Sequence, residues 1–421
     1  MAERLEELHL ADLHARAAKL GIPRYRLLRR DRLVAEIRDR DGEGPADPEQ
    51  GGEAEPEPER EREQLSEGET TEVVGVLEVT PQRYGFLRFH GLESESEDVY
   101  VSASQIRRCE LRPGDEVGGP ARAPRRGERH RALVHVDRVN GGEPPTEGRP
   151  AFESLTPVLP SRRLSLGDAG EVLTRAVDLL CPLALGQRVL VKAAPRSGRT
   201  TLLRQLSNTI EGREGVELIV VLIDERPEEV TAWREALPDS AVASATADLA
   251  PEEQVRVAEL ALDRGRRLAE SGGDALLVID SLSRLAVASA STRGRGSDVA
   301  EVKALFGSGR ELAEEGAGSL TVIATVVDGA EDDGAAERAV VTTESSLITL
   351  DPSLAAAGVF PALRVAECRL SNEDQLRDPD ELAAIRRLRS LLADLDPTEA
   401  ANLLRERIEG SPSNDELLAS L

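Results

Sequence analysis

The chain has 421 residues, a formal net charge of −25 and 40% hydrophobic residues. That length suits two or three domains. No apolar run reaches the ~18–20 residues needed to cross a bilayer, and Met1-Ala2-Glu3-Arg4 opens without the apolar core of a signal peptide, so the expectation is a cytoplasmic protein. Cys109, Cys181 and Cys368 stand far apart with no metal-ligand spacing and read as reduced, buried thiols. The acidic balance argues at first against a nucleic-acid partner, but the charge is uneven. Residues 41–70 hold twelve acidic residues and two arginines, and so supply −10 by themselves.

Residues 1–40 read as short helices, with Leu13, Ala17 and Leu20 on one stripe and a break at Gly21-Ile22-Pro23. Arg24, Arg26, Arg29, Arg30 and Arg32 make either a solvated face or a nucleic-acid contact. Residues 41–70, rich in Glu, Pro and Gly, cannot bury enough apolar surface to fold and read as an acidic disordered linker. Residues 71–141 alternate with period two between turns. Gly75–Val79, Tyr84–Arg88, Asp98–Val101, Asp115–Val117 and Ala132–Val136 predict five short strands, hence a small barrel of the oligonucleotide-binding type. Tyr84, Phe86 and Arg88 share one face of a strand, and two aromatics beside an arginine can stack single-stranded bases. Arg122, Arg125, Arg126, Arg129, Arg131 and Arg138 form a basic hairpin able to track a phosphate backbone. Residues 142–166 read as a Pro-rich connector.

From 167 to 421 helices alternate with apolar strands: Arg188–Val191, Leu218–Ile223, Ala241–Ser244, Ala275–Ile279 and Ser319–Thr325, with a long helix over Glu252–Ser271 and a helical tail from 379. Such runs predict a mostly parallel sheet covered on both faces. Ala193-Ala194-Pro195-Arg196-Ser197-Gly198-Arg199-Thr200 follows the first strand as a phosphate-binding loop, with Thr200 opening a helix. Its first position is Ala193 where the common pattern has Gly, and Arg199 stands where that pattern has Lys. A planar fork and a point charge bind phosphate differently. Two strands end in acids, at Glu225 and at Asp280. Ligands bind outside the carboxyl ends of strands in open α/β sheets. Glu225 is therefore placed to orient or deprotonate an attacking water, and Asp280 to hold Mg²⁺, with Thr200 supplying a hydroxyl. For either acid alone a helix N-cap is the competing explanation.

At these residues the chain resembles the bacterial Rho termination factors. The likeness runs through Tyr84–Arg88, Asp98–Arg108, Leu155–Pro157, Gly186-Gln187-Arg188, Asp224–Thr231, Asp280–Leu285, Gly318–Thr325 and Val359–Ala362. The resemblance implies a small helical leading domain, an OB-fold or cold-shock-like RNA-binding barrel, and a RecA-like ATPase core assembled as a homohexameric ring. It implies ATP and Mg²⁺ as cofactors, single-stranded RNA and RNA polymerase as partners, and a helicase driven by ATP hydrolysis. By position it assigns Tyr84, Phe86, Arg88, Glu128, Arg129 and His130 to RNA. It assigns Gly186, Gln187, Arg188, Arg196, Ser197, Gly198, Arg199, Thr200, Thr201 and Arg226 to the nucleotide, Glu225 and Asp280 to catalysis, and Thr200 and Asp280 to the metal. Four motor elements depart from the family pattern: Arg196 and Arg199 in the phosphate loop, a shortened Ala286–Val302 segment with Arg293-Gly294-Arg295-Gly296, the uncharged Ser353–Gly358, and Leu370-Ser371-Asn372 where an arginine finger is expected, with Arg364 and Arg369 displaced from it. The alternative expectation is therefore a paralogue that binds RNA and nucleotide but hydrolyses poorly.

Overall fold

A computed structural model describes residues 70–421 apart from 90, 146–147, 168–169, 239, 295–296 and 328–333. The helices expected over 1–40 and, but for Thr70, the linker lie outside the described residues, as does the end of the Arg293–Gly296 segment.

Six strands build the first layer: β1 (Thr70–Val79), β2 (Gly85–Arg88), β3 (Val99–Val101), β4 (Glu116–Arg122), β5 (Arg131–Leu133) and β6 (Arg138–Val139). Their order is β1-β2-β3-β5-β4-β6, and β1 also pairs with β4, which closes a barrel. Alternate residues Leu77, Leu87, Val99, Val101, Val117, Ala121 and Leu133 fill its interior. Helix α1 (Ala103–Arg108) starts in a capping box, Ser102 and Gln105 each satisfying the other's backbone N–H. Strand β4 runs past the expected end at Val117 and through Gly118-Gly119-Pro120. Glycine is required there: a Cβ on Gly119 would lie 2.4 Å from the His135 carbonyl oxygen, so the breaker signal marks a close backbone approach instead of a turn.

The remaining strands are β7 (Pro157–Val158), β8 (Arg163–Leu164), β9 (Leu183–Ala184), β10 (Arg188–Ala193), β11 (Val216–Glu225), β12 (Ala241–Thr246), β13 (Asp274–Asp280), β14 (Arg310–Leu312), β15 (Ser319–Val327), β16 (Ser346–Leu350) and β17 (Arg369–Leu370). The main sheet runs β12-β11-β13-β15-β10-β16-β17. It is parallel through β16, and β17 closes its edge antiparallel. Leu218, Val220 and Leu222 face one apolar cluster together with Val189, Val191 and Ile323, while Ile219, Val221 and Ile223 face a second with Leu190, Leu277 and Ala324. Burial on both faces is what produces continuous apolar runs in place of alternation. Covering helices include α2 (Val172–Leu180), α3 (Arg199–Ile210), α4 (Pro227–Ala236), α5 (Pro251–Glu270) and α6 (Leu282–Arg293), and the tail forms three helices over Pro379–Ala393, Pro397–Glu409 and Asn414–Ala419.

Strand β16 has no counterpart among the strands read from the sequence, yet it flanks β10 and makes the phosphate strand an interior one. The barrel rests on α5 through three ion pairs spread along that helix: Arg256 with Glu78 at 2.7 Å, Arg264 with Glu116 at 2.9 Å, and Glu270 with Arg112 at 2.7 Å. A barrel loop also covers the edge strand β12, where Glu93 accepts from the Ser244 N–H at 3.1 Å.

Candidate functional site

Strand β10 delivers the chain to a turn with two left-handed residues, Arg196 (φ 64°) and Gly198 (φ 90°). This alternation turns successive N–H groups to one side and forms an anion-binding concavity. The Ser197 hydroxyl donates to the Ala194 carbonyl at 2.7 Å and braces the turn. Helix α3 then begins at Arg199, one residue before the expected start, with Gly198 as its N-cap and no side chain capping it. The N–H groups of its first turn therefore lack helical acceptors and remain open to a ligand, at the positive end of the helix dipole.

The structure brings Glu225 and Asp280 to this turn. Between Ile223 and Glu225 strand β11 carries a bulge, and the extra residue Asp224 adopts φ 54°. A bulge re-aims the next side chain: Glu225 is 8% exposed and turned to Arg199, whereas the Asp224 side chain is 45% exposed. Arg199 lies between the acids, its Nη2 at 3.4 Å from Glu225 Oε1 and its Nε at 3.2 Å from Asp280 Oδ1. The second contact is an ion pair without hydrogen-bond alignment, since Nε has no hydrogen-bond acceptor. Arg284 on α6 also binds Glu225 and donates to the Ile223 carbonyl at 3.2 Å. Thr325 donates to Asp280 Oδ1 at 3.0 Å. Burial pushes the Asp280 carboxyl up, opposed by Arg199 and Arg284 and reinforced by the Glu225 charge.

Sequence reasoning missed an apolar cleft of about 210 Å³ beside the phosphate turn, lined by Leu173, Gly198, Thr201, Gly358, Val359 and Phe360 among others. Phe360 is 44% exposed. The signal was present in the Val359-Phe360-Pro361 run, but its proximity to Gly198 comes only from folding. Three expected nucleotide residues sit elsewhere. Gly186, Gln187 and Arg188 lie at the opposite end of β10 from the turn, a strand of about 20 Å at ~3.3 Å per residue. Gln187 is 2% exposed and closes on the Ala184 N–H and Pro182 carbonyl, and Arg188 donates to the Thr343 and Gly309 carbonyls. Here they lead into the strand. Arg196, Thr201 and Arg226 are exposed around the turn, and Thr200 is half-buried. Of the displaced finger candidates, Arg364 is held by Asp351 and Glu367, while Arg369 reaches Glu344 at 2.8 Å with its side chain 63% exposed.

On the barrel, Phe86 stands within an aromatic cluster. Ring centroids are 5.8 Å to Tyr84, 6.1 Å to Tyr100 and 5.0 Å to His130, all edge-on. Tyr100 was not singled out from the sequence; it joins because β2 and β3 pair with Phe86 opposite Tyr100. Arg88 departs from expectation. It is 6% exposed, bound to Glu78 and Asp98, with its guanidinium carbon 5.3 Å from the Phe86 ring centre. Asp98 is 1% exposed and its Oδ1 has no hydrogen-bond partner. Burial pushes its carboxyl up, against the pull of the Glu95 N–H and Arg88. In the neighbouring hairpin Glu128 clasps Arg122 at 2.7 Å and accepts the Arg125 N–H at 2.9 Å, so its carboxyl is held down at about 2. Arg129 is exposed beside it.

Residues 73–145 match the Rho termination factor RNA-binding domain family, and residues 174–369 match the nucleotide-binding domain of the ATP synthase alpha/beta family. A transcription termination factor Rho of Aquifex aeolicus (strain VF5) is 35% identical over all of this chain and 95% of its own length. That of Bacillus subtilis (strain 168) is 39% identical over 79% of this chain and 81% of its own. A solved ATPase from a bacterial type III secretion system shares the fold, with a TM-score of 0.53 at 20% identity over 68% of this chain and 93% of that one. An RNA-binding barrel followed by a nucleotide-binding α/β core, matched along the whole length at this identity, makes the chain a member of the transcription termination factor Rho family.

Proposed function

We propose that this protein captures single-stranded RNA on its barrel and spends ATP in its α/β core to move along the transcript and release it from RNA polymerase. The observation that carries the reading is the convergence of the phosphate turn, Glu225 and Asp280 on Arg199. Phosphates fit the open N–H groups of the first turn of α3, with Arg196 and Arg199 supplying positive charge. A purine base fits the apolar cleft against Phe360, and exposed Arg226, the N-cap of α4 next to Glu225, supplies a further positive charge. For the nucleotide to enter, Arg199 leaves the two carboxylates for the phosphates. Glu225, freed of it and still held by Arg284, then orients the attacking water.

The donors present suit Mg²⁺, a hard cation that takes oxygen ligands: the Thr200 hydroxyl and the Asp280 carboxylate would hold it, and it would neutralise phosphate charge. Among the described residues no cluster of three or more His, Cys, Asp or Glu forms a metal site, in keeping with a metal held partly by the nucleotide itself. The active assembly is a homohexameric ring with helicase activity, working in the cytoplasm where transcripts are made.

A base stacked on Phe86 meets the buried Arg88–Asp98 pair at its edge. The unpartnered Asp98 oxygen suits an exocyclic amine, which favours cytosine in pyrimidine-rich RNA. Glu128, Arg129 and His130 border the same face. The deciding experiment is ATP hydrolysis by the purified full chain with and without poly(C). Stimulated turnover that falls about 10²–10⁴-fold in Glu225→Gln is expected. Tight binding of RNA and ATP with no turnover would assign the protein instead to a regulatory role.

A further inference from the structure

The aromatic face of the barrel is tied to the ATPase core through one shared carboxylate oxygen. Glu78 lies opposite Phe86 in the β1–β2 register. Its Oε2 accepts from Arg88 Nε at 2.7 Å and also from Arg256 Nη1 at 2.7 Å. Arg88 belongs to the RNA strand and backs the Phe86 ring. Arg256 belongs to α5 of the core, where Glu253 fixes its Nε at 2.8 Å. The other groups around Arg88 are the Ser94 hydroxyl at 3.0 Å and Asp98. All three charged side chains of the relay are largely covered, with side-chain exposures of 7%, 15% and 18% for Arg88, Glu78 and Arg256. A charge-assisted contact out of solvent constrains geometry far more than a surface pair does.

We propose that Arg256, a residue of the ATPase domain, is a positioning residue for RNA capture: it holds Glu78, Glu78 holds Arg88, and Arg88 sets the Phe86 face. Without Arg256 the Glu78 carboxylate follows Arg88 alone, and the guanidinium loses its fixed distance from the ring and from Asp98. Simple domain docking does not account for the arrangement. Arg264–Glu116 and Glu270–Arg112 join the same helix to the barrel, yet neither reaches β2. The relay makes the affinity of the barrel for RNA depend on a helix that packs against the sheet carrying Glu225 and Asp280.

This inference rests on the reading of the aromatic face as the RNA site, and the test separates the two. Binding of a fluorescent oligo(C) to the full chain is measured by anisotropy at one salt concentration for Arg256→Met, Arg256→Lys, Glu78→Gln, Arg264→Met and Phe86→Ala. Arg256→Met is expected to weaken binding about 3- to 10-fold, as loss of one charge-assisted contact does, with Arg256→Lys recovering most of it. Glu78→Gln combined with Arg256→Met is expected to cost no more than the larger single effect, because both break one relay, and Arg264→Met to bind as the wild type does. Wild-type affinity in Arg256→Met alongside weakened Phe86→Ala overturns the relay alone. An equal loss in Arg264→Met also overturns it, in favour of general docking. Unchanged affinity in Phe86→Ala removes the RNA face itself.

Discussion

Replacing Phe86 by alanine probes the RNA face most directly. The ring is half-buried, does not belong to the barrel's interior cluster, and makes edge-on contacts with Tyr84, Tyr100 and His130 at 5.8, 6.1 and 5.0 Å. Its loss therefore costs the fold little, about 0.2–1 kcal/mol for a cross-strand neighbour. A base stacked on an aromatic ring contributes about 1–3 kcal/mol, equivalent to about 5- to 150-fold in affinity. The expected outcome is thus an oligo(C) dissociation constant raised at least about fivefold with a nearly unchanged melting temperature. Anisotropy titrations at several salt concentrations add a second check. Stacking releases no counterions, so the slope of log affinity against log salt is expected to stay at its wild-type value, whereas Arg129→Ala, which removes the proposed phosphate contact of Arg129, is expected to lower that slope by about one unit. Wild-type affinity in Phe86→Ala, or a loss matched by unfolding of the barrel, refutes the stacking argument.

Arg199→Lys is expected to raise RNA-stimulated ATP hydrolysis by up to about tenfold, because an ammonium cannot bridge Glu225 and Asp280 as the guanidinium fork does; a brisk native enzyme slowed by the change would show that the arginine suits this motor. Phe360→Ala should raise KM for ATP by about fivefold or more with kcat little altered, the signature of lost uniform binding, as read in steady-state kinetics with poly(C). Glu128, held near 2 by Arg122 and the Arg125 N–H, has a folded-state value below its ordinary 4.5. Its clasp is present above the ordinary value and is lost as pH falls through about 2. Carboxyl-carbon NMR shifts of Glu128 should therefore stay at their ionised position at pH 4, and a midpoint near 4.5 would refute the clasp.

Much of the core was legible because its cause is local. Val189-Leu190-Val191, Leu218–Ile223 and Ala275–Ile279 are buried on both faces, so their apolar runs announce parallel strands, and each observed strand extends the expected one at one or both ends. The turn at Gly198 and the acids after the strands follow from the same pattern. The quoted motifs were enough to point to the family. What escaped the sequence depends on register and crossing. Ser346–Leu350, where two hydroxyl residues interrupt the apolar run, is fixed as a strand by its parallel pairing with β10. Tyr100 joins Phe86 through a pairing that no single strand encodes. Gly186, Gln187 and Arg188 are close to the phosphate turn in sequence but a full strand length away in space. Arg88 lies on the face its alternation predicts, yet its charge is turned to Glu78 and Asp98, which come from β1 and from the residue just before β3. Local periodicity decides which face a side chain takes. Only tertiary packing decides what meets it there, since long-range partners are brought together by the closure of the barrel and the stacking of helices on the sheet.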